Sequence, residues 1–72
     1  MKSLKTFLKE KRKLAGLTQL EFAERAGVAL TVIRKIEQGK ENLNLEKVNH
    51  VLSMFGHSLV PVANKDIEKN QD

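Results

Sequence analysis

Two groups of side chains in this sequence have the types and spacing to do chemistry. The first is a crowd of positive charge, Lys2, Lys5, Lys9, Lys11, Arg12 and Lys13, set against the single acid Glu10. Lysine and arginine that neutralise phosphates gain affinity by releasing counterions, so a polyanionic partner is one reading of this cluster. A solvated helix face is a second, and a basic helix lying on a membrane surface is a third. The apolar positions between the lysines look committed to a globular core, which counts against the membrane. The second group is His50, Ser53, His57 and Ser58. A serine near a histidine suggests acyl transfer, but no acid or oxyanion donor is placed to complete a catalytic set. The histidines lack the carboxylates that would finish a metal site. With no cysteine, disulfides and cysteine-based zinc sites are excluded. The expectation is a binding protein with no catalytic residues, no metal and no cofactor, and not an enzyme.

The elements that position these groups must fit into 72 residues, room for one core. A domain this small buries only ~60% of the surface its unfolded chain exposes. Disulfides, a metal or a partner subunit usually make up the deficit. Only the partner is left, so oligomerisation is expected. The basic N-terminus is followed by no apolar signal region, and no apolar run approaches the ~20 residues that span a bilayer. These features predict a cytoplasmic chain with no membrane contact.

Leu4, Phe7, Leu8, Leu14 and Ala15 recur at helical spacing and predict a first helix ending near Gly16. Thr18 followed by Glu21 makes a capping box for a second helix, from about Gln19 to Ala26, stopped by Gly27. A third helix runs from near Leu30 to a point before Gly39. Asn44 caps a fourth, with Leu43 and Val48 at staple spacing. Leu45, Val48, Val51, Leu52 and Phe55 form its apolar face, and Gly56 ends it. The predicted fold class is all-α, a compact four-helix domain over residues 1–56.

Residues 57–63 differ. Ser58-Leu59-Val60-Pro61-Val62-Ala63 is short, apolar and valine-rich, and reads as a strand. Pro61 cannot donate to a ladder, so the strand belongs at an edge. Pairing with the same strand of a second copy would satisfy its backbone and supply the missing subunit, with Leu59, Val60 and Val62 as dimer contacts. An extended tail laid against the core is the other reading. Residues 64–72 are polar and expected to be a flexible tail.

The most informative stretch runs from Gln19 to Gly39. Two helices joined by a tight turn need a residue tolerant of positive φ at the corner, and Gly27 stands there. Ala23 supplies the small side chain where the helices cross. Phe22, Ala23, Ala26, Val28, Ile33 and Ile36 make one apolar set across both.

With Leu17-Thr18-Gln19, Phe22 to Val28, Ile33 and Ile36 to Lys40 in place, the chain resembles the phage repressor and Cro-type (XRE) helix-turn-helix family over roughly Leu8 to Phe55. The resemblance implies a lambda repressor-like fold that binds double-stranded DNA, with the third helix in the major groove. It places Thr18 and Gln19 at a backbone phosphate, at the start of the second helix. Ala29, Leu30, Thr31, Arg34 and Lys35 fall on the DNA-facing side of the third, where Arg34 would pair with guanine or phosphate. Lys40 and Asn42 would hold the backbone from the following loop. Ala29 departs from the family's usual capping serine or threonine, and Leu30 from its usual polar base reader. Arg12 matches the arginine that pairs with the glutamate at Glu37.

Asn42 to Val48, Val51-Leu52, Phe55-Gly56 and the strand after them look like HipB-type antitoxins. That likeness implies a homodimer joined through its C-terminal strands, an inverted-repeat operator, and repression of its own operon. It also implies a HipA-like kinase toxin as partner. A stand-alone regulator of the same family with no toxin partner is the alternative.

Overall fold

The computed structural model describes residues 2–67. Four helices lie in it: α1 (Leu4–Leu14), α2 (Gln19–Ala26), α3 (Leu30–Glu37) and α4 (Leu45–Ser53). Three of their starts carry a side-chain cap. Ser3 Oγ accepts from the Thr6 amide at 3.2 Å ahead of α1. The Thr18 amide donates to Glu21 Oε1 at 2.8 Å, and the Glu21 amide returns a bond to Thr18 Oγ1 at 3.1 Å. That is the expected capping box. Asn44 Oδ1 accepts from the Lys47 amide at 3.0 Å and opens α4. The exception is α3, where Ala29 has no side-chain oxygen to offer. Its first turn tightens instead, with the Val32 amide donating to Ala29 O at 3.0 Å.

The corner between α2 and α3 depends on Gly27. Its φ is +72°, a left-handed conformation that costs a residue with a β-carbon roughly 1–2 kcal/mol. In that conformation the Gly27 amide reaches Glu24 O and the Val28 amide reaches Ala23 O, which satisfies two carbonyls at the helix end. The same pair of bonds closes α1, α3 and α4.

α3 packs against each of the other three helices. Leu8, Phe22, Ala23, Ala26, Ile33, Ile36, Val48, Val51 and Leu52 form the buried core, with Phe55 and Phe7 against its edge. Phe55 meets Phe22 at 5.9 Å between ring centroids and Phe7 edge-on at 6.3 Å. Burying a side chain such as Ile33 or Phe22 stabilises the fold by about 1.5–3 kcal/mol. These two come from the helices flanking Gly27, so the same contacts that build the core set the angle of the turn.

The strand expected over residues 57–63 is not formed; no strand occurs among the described residues. A strand needs a ladder partner. The four helices use their own backbone groups, and among the described residues no backbone segment bonds to residues 58–62 as a ladder would. Residues 57–63 instead run without a turn or bend across α1 and α4. The Leu59 amide donates to Asn49 Oδ1 at 2.7 Å, and the His57 ring lies 4.6 Å from that of Phe7. The tail-on-core reading describes this single chain. Leu59 and Val60 are exposed and Val62 is half-buried. Within the tail expected over 64–72, Asn64–Asp66 makes a 3-10 turn, and residues 68–72 lie outside the described residues.

Candidate nucleic-acid interface

A buried polar cluster holds the two helices of the turn at both ends. Arg12, near the end of α1, donates from Nε to Glu37 Oε2 at 2.7 Å and from Nη2 to Oε1 at 3.0 Å. Its remaining Nη1 donates to Leu17 O at 2.8 Å, in the loop before α2. Gln19, the first residue of α2, donates from Nε2 to Glu37 Oε1 at 3.1 Å. One carboxylate at the end of α3 thus collects the end of α1 and the start of α2. The Glu37 side chain is 2% exposed and that of Arg12 is 13%. Burial pushes the Glu37 carboxyl up. Hydrogen bonds from Arg12 and Gln19, with the charges of Arg12 and Lys9, outweigh it and hold the carboxyl below its ordinary range. The bond to Glu37 likewise raises Arg12. Expectation and structure agree on the Arg12–Glu37 pair. Gln19, expected at a backbone phosphate, is half-buried, and its amide nitrogen bonds Glu37.

This clamp presents one side of α3 outward. Ile33 and Ile36 are buried, whereas Thr31, Arg34 and Lys35 are exposed. Leu30, which the family resemblance set beside them, does not join them. It is half-buried and packs on the core, because it stands three residues before Ile33 and shares its side of the helix. Val32 is half-buried on the same terms. Ala29, Lys40 and Asn42 are exposed, and so is Thr18.

The fold also brings up residues the sequence reading passed over. Gln38 is exposed and lies one turn beyond Arg34, so it continues the Thr31–Arg34 row. Counting four residues on from Arg34 would have found it. Lys47 joins Thr31, Lys35 and Asn42 around a cleft of about 190 Å³ between α3, the following loop and α4. No local pattern signals Lys47, since the loop that folds α4 back against α3 creates the juxtaposition.

The N-terminal basic cluster is divided by the fold. Lys2 pairs with Glu10, and Lys11 sits 5.6 Å from the centre of the Phe7 ring. Arg12 is committed to Glu37. Lys5 goes elsewhere, its stem 3.4 Å from where a β-carbon on Gly39 would stand, beside the end of α3. Among the described residues no three His, Asp or Glu side chains gather as a metal site would require. No described helix is long and apolar enough to cross a membrane.

Two short helices locked across a glycine corner, with an exposed polar and basic row on the second, define a DNA-binding domain of the transcription-regulator class. A helix-turn-helix family model matches residues 8–58, most of the chain, and the protein belongs to that family. Neither curated proteins nor solved structures supply a significant match.

Proposed function

We propose that this chain is a sequence-specific transcriptional repressor that grips an inverted-repeat operator as a homodimer. One observation carries the reading: Thr31, Arg34 and Lys35 stand exposed on α3 while Ile33 and Ile36 lock its other side to the core. A helix presented this way enters a major groove, where Arg34 meets guanine O6 and N7 or a phosphate. Thr31 touches a base edge or a thymine methyl. Thr18, Lys35, Lys40 and Asn42 hold the backbone on either side, with Gln19 contributing its main-chain amide from the start of α2. Ala29 and Leu30 offer only apolar contact, and Leu30 divides its surface between groove and core. The protein acts in the cytoplasm. Selection of bound fragments from random duplex DNA tests this. The expected product is an inverted repeat with half-sites about 34–36 Å apart, and affinity that falls steeply with salt. Absence of salt-sensitive binding to any selected duplex would overturn it.

The dimer forms through Leu59, Val60 and Val62. Truncation after Gly56 should give a folded monomer with much weaker operator binding, read by sedimentation; a dimer that survives truncation refutes this assignment. The finer reading is the antitoxin of a HipBA-like operon, which represses its own promoter and neutralises a kinase toxin. The run from Asn42 to Gly56 supports it by its likeness to HipB-type proteins. Stable co-purification with a HipA-like kinase is the expected result, and failure to bind one leaves the stand-alone regulator.

A further inference from the structure

Lys47 lies outside the helix-turn-helix unit, in the first turn of α4, yet it meets α3 across a cleft of about 190 Å³. Thr31 and Lys35 line the α3 side of that cleft, one turn apart on the exposed side of the helix. Asn42, from the connecting loop, lines it too. Val32 and Val48 give it an apolar wall, and Val48 belongs to the buried core. No acid lines the cleft, although Glu41 and Glu46 are close in the chain. Glu46 lines a different cleft, beside Gly27 and His50. The ion pairs among the described residues join Lys2 to Glu10 and Arg12 to Glu37. Lys35 and Lys47 therefore keep their charges uncommitted. Two like charges on one cleft repel unless an anion comes between them. The Lys47 amide is already taken by Asn44 Oδ1 at 3.0 Å, so what Lys47 brings to the cleft is its ammonium.

We propose that this cleft seats one backbone phosphate of the operator, held jointly by Lys35 from α3 and Lys47 from α4, with the Asn42 side-chain amide as a third donor. The inference rests on the DNA-binding reading above and adds a contact from outside the turn. Continuity fixes the occupant. Thr31 belongs both to the cleft and to the row that meets base edges, so an anion in the cleft lies beside the groove that α3 enters. In a duplex the anion at that place is a phosphodiester of the strand bordering the groove. Lysine suits the site because it meets phosphate as a point charge with three rotatable donors. The apolar wall lowers the local dielectric and strengthens both attractions. Held from two helices, the phosphate fixes how deep α3 sits, so a backbone contact sharpens base reading without touching a base.

The test uses the full chain and a duplex that it selects from random DNA, carrying an uncharged methylphosphonate at one backbone position at a time. K47Q leaves the Asn44 cap in place, so its helical circular dichroism should match the native chain. It should weaken binding to the unmodified duplex about tenfold. One methylphosphonate position in each half-site should abolish that difference, so that native chain and K47Q bind the modified duplex alike. The same position should abolish the cost of K35Q. In the K35Q/K47Q double variant the slope of log affinity against log salt should shrink by about 0.9 per half-site, the value for one phosphate, where two separate phosphates would give roughly 1.8. Binding by K47Q equal to native on the unmodified duplex overturns the proposal. Coupling of Lys35 and Lys47 to two different phosphates overturns it as well. Absence of salt-sensitive binding by the native chain overturns the DNA-binding reading itself, and that result is seen before any substitution is made.

Discussion

The helix-turn-helix unit and the segment after α4 lie on the same core, yet they settle their polar groups in opposite ways. Between α1, α2 and α3 the side-chain donors of Arg12 and Gln19 converge on Glu37 inside the chain. Arg12 spends three nitrogens on Glu37 and Leu17, and Gln19 adds a second donor to Glu37 Oε1. Residues 57–63 bond Asn49 through the Leu59 amide and leave the amides of Ser58, Val60 and Val62 open. The first region is closed within one molecule and can present a fixed surface to DNA. The second leaves these backbone groups unbonded within the chain.

Breaking the closed region should have the largest effect. Glu37→Ala leaves the Arg12 guanidinium unpaired in a nearly buried setting, and the expected loss is about 3–5 kcal/mol of stability. For a domain this size, each kcal/mol lowers Tm by roughly 4–8 °C, so thermal denaturation should show a large fall. An unchanged Tm would mean the cluster does not hold the turn. Arg34→Ala sharpens the contrast from the other side. It should weaken operator binding by about 1–3 kcal/mol with the Tm unmoved, and relax preference at one base pair if Arg34 reads a base. Uniform weakening across sequences assigns it to phosphate instead.

Acid should act first on the closed region. The folded Glu37 carboxyl titrates below its unfolded value of about 4.3, so its contribution is fully present above that value. It is lost as pH falls through the depressed folded value. Tm measured from neutral pH downward should drop more steeply in the native chain than in Glu37→Gln, which has no proton to take up there. Equal slopes would dismiss the linkage. The smallest effect belongs to a local device: Thr18→Ala removes one half of the capping box and should cost about 1 kcal/mol, read in denaturant unfolding.

The four helices and their caps were legible in the sequence because the signals are local. Thr18 and Glu21 are three residues apart, Asn44 sits one turn from the amide it caps, and Gly27 needs only its own φ. The Arg12–Glu37 pair, 25 residues apart, was legible only through a family likeness. Gln19 was read as a phosphate ligand, and Lys47 was not read at all. Their surroundings depend on how α3 and α4 fold back toward the start of the turn. Leu30 was set on the DNA-facing side by the family likeness, although its spacing from Ile33 already put it on the side that packs on the core.

Sequence alone determined where each helix begins and stops, most of the residues that enter the core, and that α3 has a polar row to offer. These depend on contacts within about one helical turn or on apolar periodicity. Leu14 and Leu45, which spacing put on apolar faces, are exposed. Tertiary structure decided which charges are consumed and which remain available, since only packing brings Gln19 to Glu37, Lys5 to Gly39 and Lys47 to Lys35. It also decided that Leu59 turns its amide inward to Asn49. A hydrogen bond across ten residues exists only once α4 is in place.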